Sequence, residues 1–271
     1  MSGKLILCGV SLGNPEDISP RVIKTLQNAD LIAAEDTRSA GLLLSQFNIR
    51  KELISFYDHN ETERVPQLIE LLKSGKTIAL ISEAGMPLIS DPGYHLVGAV
   101  YAQNIPLDAV PGPTALITAL AVSGLPTDSF SFRGFLPAKA GSRQKTLAEL
   151  QNTKSTLIFY EAPHRINETL RDIAEIFPER MCFVGRELTK KYQEYLRGTA
   201  KEILAKLKTP KGEFVIVLEG NKASSPELSA EIIRLAGELK KAGLAPAKIS
   251  QILAEVFSLS KNKLKDLLFK E

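Results

Sequence analysis

The feature that most constrains the fold is an alternation through the N-terminal part of the chain, in which short apolar runs are each followed by a stretch of helical periodicity. KLILCGV precedes PRVIKTLQNA, DLIAAE precedes SAGLLLSQF, ELISFY precedes ETERVPQLIELLKSG, KTIALIS precedes a helix over about 94–103, and PLDAV precedes PTALITALAVSG. Strand-length apolar runs separated by crossover helices build parallel sheets covered on both faces. This predicts a doubly wound α/β domain over residues 1–125. From Ser129 onward the strand-like segments SFSFRGFL, STLIFYEA, MCFVGREL, YQEYLRG and EFVIVLEG have less helix between them. A second, mixed α/β domain over 126–222 with antiparallel pairs follows, including a helix over 142–152.

NKASSPE reads as a linker. Beyond it, residues 226–271 predict a small helical extension, with Ile232, Ile233, Ala236 and Leu239 on one helix and Ile249, Ile252, Leu253 and Val256 on another. Leu264, Leu267 and Leu268 mark a third, and Gly243 and Pro246 interrupt the first two. The spacing suits a helix-turn-helix and equally a dimerisation or packing module.

With 271 residues, 44% hydrophobic, the chain can bury sizeable cores, and no apolar run approaches the roughly 20 residues needed to span a bilayer. MSGKLILCGV enters a strand at once without a cleavable signal pattern, so a cytoplasmic location is expected and no membrane partner. Cys8 and Cys182 lie far apart with no metal-ligand spacing and read as small buried hydrophobes; no metal is expected. A net charge of +3 is too small to identify a nucleic-acid partner.

In open α/β sheets ligands bind beyond the carboxyl ends of the strands, so chemistry should lie in the loops that follow them. GVSLGN, after the first strand, is neither a dinucleotide GxGxxG nor a phosphate-cradling GxxxxGK. AAEDTRSAG crowds Glu35, Asp36 and Arg38 at a strand end. SEAGMPLISDPG sets Gly85, Pro87, Pro92 and Gly93 around Glu83 and Asp91, a density of fixed turn dihedrals that an ordinary surface connection does not require. VPGPTA opens a helix at Pro113 and Thr114 whose free N–H groups could meet a ligand, and FYEAPHR and RELTKK supply a second-domain pair.

The ordered series LGNPEDI, LIAAEDTR, SEAGMPLISDPGYHLV, VPGPTALITALAVSGLP, FRGFLPAK, LIFYEAPHR, RELTKKYQE and KGEFVIV resembles the ribosomal RNA small subunit methyltransferase I family of the tetrapyrrole methylase superfamily. The resemblance covers about 5–218, and the terminal helices are similar to that family's helix-turn-helix extension. It implies two α/β domains with S-adenosylmethionine in the cleft between them, a homodimer, and 2′-O-methylation of a cytidine in the decoding region of small-subunit ribosomal RNA, within an assembled 30S subunit. The family's usual TPIGN and SDAGTP stand here as VSLGN and SEAGMP. Glu83 thus replaces an aspartate and Met86 a threonine, changes that bear on cofactor affinity.

On this reading the cofactor pocket comprises Leu12, Gly13, Glu83, Gly85, Met86, Thr114 and Ala115, closed by Tyr160 and Glu161. Glu35, Asp36, His164, Glu187 and Lys190 are unranked candidates to assist the ribose hydroxyl, a salt bridge or helix cap being the alternative for each. Lys139, Arg143, Lys145, Arg165, Arg186, Lys191 and Arg197 form a local basic excess suited to RNA phosphates, or else a solvated face. Two rival functions stay open: methylation of a tetrapyrrole, and RNA binding by a chain that no longer holds the cofactor.

Overall fold

The computed structural model describes residues 3–222 and 230–257, together with Leu264 and Leu268. The first sheet holds β1 (Lys4–Cys8), β2 (Leu31–Ala34), β3 (Glu52–Ser55), β4 (Thr77–Ile81) and β5 (Leu107–Val110) in the order β3-β2-β4-β1-β5. All four pairings are parallel. Leu31–Ala34 is buried at every position, as a strand covered on both faces must be. One cover is α1 (Pro20–Asn28) with α2 (Thr37–Gln46), which insert Val22, Leu26, Ala40 and Leu44. The other is α3 (Glu61–Lys73) with α4 (Tyr94–Ala102), which insert Leu68, Leu72, Leu96 and Val100. Ser19 caps α1 as its position before Pro20 predicts, its side chain accepting from the Val22 N–H.

The second sheet holds β6 (Phe130–Phe135), β7 (Thr156–Glu161), β8 (Met181–Arg186), β9 (Glu194–Thr199) and β10 (Phe214–Leu218) in the order β6-β7-β10-β8-β9. The β6–β7 pair is parallel and the other three are antiparallel. One face is covered by α6 (Ala140–Glu149), α7 (Ile166–Ile176) and α8 (Ala200–Lys206) through Leu147, Leu170, Ile173 and Ile203. The α6 helix begins two residues before the expected Ser142 and ends before Asn152.

The opposite face is covered by α5 (Ala115–Ser123), which follows the last strand of the first sheet. Its Leu116, Ala119 and Leu120 pack on Ile158, Phe183, Val215 and Val217. Each such leucine contributes about 1.5–3 kcal/mol by leaving water, so this helix fastens one lobe to the other. Residues 1–220 accordingly form one compact unit. The expected boundary at 125/126 lies between the sheets along the chain, while α5 serves the second sheet in space.

A separate unit spans Asn221–Glu271. In it α9 (Ala230–Lys241) and α10 (Pro246–Phe257) bury Ile232, Ala236, Ile249 and Leu253 with Leu264. Of the expected inward positions, Ile233 and Val256 are exposed. Pro226, the expected start of the extension, and Leu267 lie outside the described residues. Among the described residues no helix is long and apolar enough to cross a membrane.

Candidate active site

The loops after β1, β4 and β5 converge beside the second sheet. Gly9 and Gly112 pack backbone to backbone: a β carbon on Gly9 would lie 2.6 Å from the Gly112 N and Cα, and one on Gly112 would lie 2.4 Å from the Gly9 O. Only glycine permits that approach. Val10 donates its N–H to the Gly85 O at 2.8 Å, joining the first loop to the one after β4. Glu61, a buried carboxylate on α3, accepts the Gly93 N–H at 3.1 Å and holds that loop's far end. Between these ties Leu88 and Ser90 adopt positive φ of 71° and 69°, strain that persists only where surroundings enforce it.

These loops and the second sheet enclose a cavity of about 340 Å³. Of the residues expected at the cofactor pocket, Leu12, Gly85, Met86, Thr114 and Ala115 line it from the first lobe, and Tyr160 and Glu161 from the second. Room at Gly85 depends on the missing side chain, since a β carbon there would sit 3.1 Å from Leu12 Cδ2 and 3.2 Å from the Pro113 O. Thr114 caps α5 without a side-chain hydrogen bond, and it and Ala115 both line this space. Tyr160 packs edge-on against Phe132 and Phe135, and its hydroxyl is pushed up by burial although the Leu116 backbone hydrogen-bonds it. The Glu161 side chain is fully buried and bonded to Ala162 N–H, Arg165 Nε and Thr169 Oγ1, so it braces the wall from behind.

Two expected members of this pocket lie elsewhere. Gly13 and Glu83 line a second cavity of about 240 Å³, on the other side of Leu12, between the first loop and α2. A strand end reads as one loop in sequence, but successive side chains after β4 turn to opposite sides. Glu83 goes to one cavity and Ala84–Met86 to the other.

The five catalytic candidates separate by environment. Asp36 is the N-cap of α2, accepting from Arg38 N–H at 2.7 Å, which holds its carboxyl below the usual range. Lys190 bonds Glu213 at 2.9 Å and Glu187 at 3.2 Å, and its aliphatic stem lies across Gly13. Burial pulls the Lys190 ammonium down, but those two carboxylates outweigh it and leave it raised, a fixed cation rather than a proton acceptor. Burial raises Glu187, yet the Glu213 N–H and Lys190 outweigh it and hold that carboxyl low. His164 is exposed before α7 and lines neither cavity. Glu35 lines neither, but burial and the Glu83, Asp58 and Asp36 carboxylates raise it, and the Glu83 backbone bonds it.

Asp91 was absent from the expected site and lines the larger cavity. Burial pushes its carboxyl up to about 6, helped by Glu35, Asp58 and Glu83 and opposed by a hydrogen bond from Ser82. The ISDPG turn was the signal that could have identified it. Nothing local could have identified Glu61 or Glu213, which reach the site from α3 and from the residue before β10.

The basic set also separates. Arg143 is 1% exposed, with Nε on Asp172 at 2.5 Å, Nη2 3.6 Å from Glu168 and Nη1 on the Ala138 O. It cannot meet RNA phosphates without unfolding that corner, a correction to its expected role. Arg165 is bound to Glu161, and Arg186 to the Lys211 and Tyr192 carbonyls and Glu194. Lys139, Lys145, Lys191 and Arg197 are exposed, Arg197 also bonding the Ser123 and Gly124 carbonyls after α5.

The profile of the family described as Tetrapyrrole (Corrin/Porphyrin) Methylases matches residues 4–204. "Ribosomal RNA small subunit methyltransferase I" of Halalkalibacterium halodurans is 49% identical over 221 residues, covering 81% of this chain and 76% of its own. The protein of that name from Escherichia coli O157:H7 is 42% identical, covering 97% and 93%. Among solved structures, uroporphyrin-III C-methyltransferase from Thermus thermophilus complexed with S-adenyl homocysteine is similar in fold. It has a TM-score of 0.55 at 15% identity, over 81% of this chain and 97% of that one. With the family profile matched over residues 4–204 and relatives 42–49% identical over most of the chain, the chain belongs to the tetrapyrrole methylase family, in its ribosomal RNA small subunit methyltransferase I branch.

Proposed function

We propose that the protein transfers the methyl group of S-adenosylmethionine to the ribose 2′-hydroxyl of a cytidine in the decoding region of small-subunit ribosomal RNA. The observation that carries this reading is the preformed cavity of about 340 Å³ between the lobes, together with relatives named for small-subunit ribosomal RNA methylation. Its residues suit the donor: Leu12, Met86 and Ala115 offer apolar walls, and Gly85 allows close backbone approach. Bound there, the sulfonium supplies an activated methyl for in-line displacement.

The protein's part is chiefly placement. Holding the hydroxyl oxygen within about 3–3.5 Å of the methyl, in line, can supply roughly 7–11 kcal/mol of the barrier. The cross-braced loops achieve this without reorganising. Asp91 accepts the ribose proton: it faces the cavity, and a carboxyl raised to about 6 is still ionised at neutral pH while being a stronger base than an ordinary aspartate. Lys190, fixed between Glu187 and Glu213 and lying across Gly13, positions the first loop. Lys139, Lys145, Lys191 and Arg197 engage phosphates, with Tyr192 and Tyr195 exposed on the segment that carries Lys191 and Arg197 for stacking.

The chain works as a homodimer in the cytoplasm on the assembled 30S subunit. Support for pairing comes from exposed apolar side chains on consecutive elements, Tyr94 and Tyr101 of α4, Ile117 and Val122 of α5, and Phe130 and Phe135 of the sheet's edge strand. The deciding experiment incubates the protein with labelled S-adenosylmethionine and either undermethylated small subunits or a porphyrinogen, then maps ribose methylation. Label on a decoding-region cytidine is expected; label on the porphyrinogen alone sinks the reading.

A further inference from the structure

The second cavity, about 240 Å³, is bounded by the first loop, α2 and the start of the loop after β4. Leu12 is buried and lines both cavities, so its side chain lies where the two adjoin. The size falls below the roughly 300–1,000 Å³ of sites that swallow a whole drug-sized ligand, the scale of one small ring system rather than a macrocycle. The lining mixes apolar walls from Leu43 and Ile81 with polar groups from Ser11, Ser39, Gln46 and Glu83.

Its electrostatics restrict what can enter. Among the described residues no lysine, arginine or histidine lines it. Nearby cations are paired, Arg38 with Asp36 at 3.5 Å and Lys190 with Glu187 and Glu213. Glu83 lies in the field of the Glu35 and Asp91 carboxylates. A phosphate, or the carboxylate arms of a tetrapyrrole, would meet uncompensated negative charge. A neutral ring with amine hydrogens at its edge would be held, its amine donating to the carboxylate.

We propose that this cavity receives the base of the acceptor nucleotide, an amine-bearing pyrimidine, with Glu83 accepting from its exocyclic amine while the ribose lies against Leu12 and presents its hydroxyl to the donor cavity. The proposal rests on the ribosomal RNA reading above and adds the element that selects the base. A carboxylate accepting from the cytosine amine is an established readout pairing, and uracil, with a carbonyl in that place, cannot donate. Single-stranded RNA bases are commonly splayed into such pockets and read on that edge.

Two variants and two readouts test it on the full-length protein. Ser39→Trp, on the first turn of α2, fills the cavity from its wall; Glu83→Gln keeps the shape but offers an amide that can also donate to uridine. Calorimetry should give S-adenosylmethionine affinity within about twofold of the parent for Ser39→Trp. Methyl transfer to undermethylated small subunits should fall at least about 100-fold. Saturation-transfer NMR with free cytidine should show binding to the parent and none to Ser39→Trp. With subunits carrying cytidine or uridine at the target, Glu83→Gln should lower the cytidine-to-uridine ratio of kcat/KM by about 10-fold or more. Undiminished transfer by Ser39→Trp, or an unchanged ratio for Glu83→Gln, overturns the base site while leaving the reaction intact. Cytidine binding by the parent that Ser39→Trp abolishes, with no methylation of ribosomal RNA by the parent, upholds the cavity and brings down the proposed reaction instead.

Discussion

Replacing Arg143 by alanine separates a structural cation from an RNA contact. Its guanidinium is bonded to Asp172, close to Glu168 and to the Ala138 carbonyl, and both it and the Asp172 side chain are almost fully buried, at 2% and 9% exposure. Removing the arginine leaves Asp172 with Gln144 as its remaining side-chain partner, at 2.8 Å. Stranding one half of a buried ion pair costs about 3–5 kcal/mol. For a unit of this size, with about 2–4 °C per kcal/mol, Tm should drop by roughly 6–20 °C. Chemical denaturation should show the loss as a lowered midpoint at unchanged slope, and an Arg143→Met, Asp172→Leu double variant should recover most of it because no charge is then left buried. RNA affinity of the folded variant, followed against salt, should keep the parental slope. A variant of parental stability whose slope falls by about 0.7, the loss of one single-strand phosphate contact, would refute the structural role.

Asp91→Asn tests the proton acceptor and a linkage. Burial raises this carboxyl to about 6, so the fold favours its protonated form. That contribution is full below the unfolded value near 3.9 and is lost as pH rises through about 6. The variant should therefore be more stable than the parent at pH 8 and show no such advantage at pH 4, by thermal melting, while methyl transfer falls about 100-fold or more and its rise through pH 6 disappears; a transfer rate close to the parent's removes Asp91 from the chemistry. Gly85→Ala places a β carbon at φ +80° against Leu12 and the Pro113 carbonyl, costing about 1–3 kcal/mol, and calorimetry should show S-adenosylmethionine affinity at least tenfold weaker. A chain ending at Gly220 removes a unit with its own core; it should keep cofactor affinity within about twofold and bind small subunits more weakly, and equal subunit binding in a filter assay would exclude a role for the helices there.

The two sheets, the parallel pairing within the first and the antiparallel pairs of the second were legible because hydrophobic period and segment length report on strand burial and crossover directly. The buried run LIAA and the Ser19–Pro20 helix start are purely local matters. The loops that line the larger cavity were legible as loops of fixed geometry, since Gly85 and the helix opening at Thr114 carry that geometry in residue type. What sequence could not reveal was which side of a wall each side chain takes. Glu83 and Met86 are three residues apart yet line different cavities. Arg143, one of a row of basic residues, closes a core because Asp172, 29 residues away, waits there. Asp91 differs from any loop aspartate through the burial that raises it and the Glu35, Asp58 and Glu83 carboxylates that add to it. Sequence by itself determined the elements and the loops, because backbone preference and periodicity are local; the tertiary structure alone decided charge state, partner and facing, because burial and Coulomb fields are set by residues that only folding brings together.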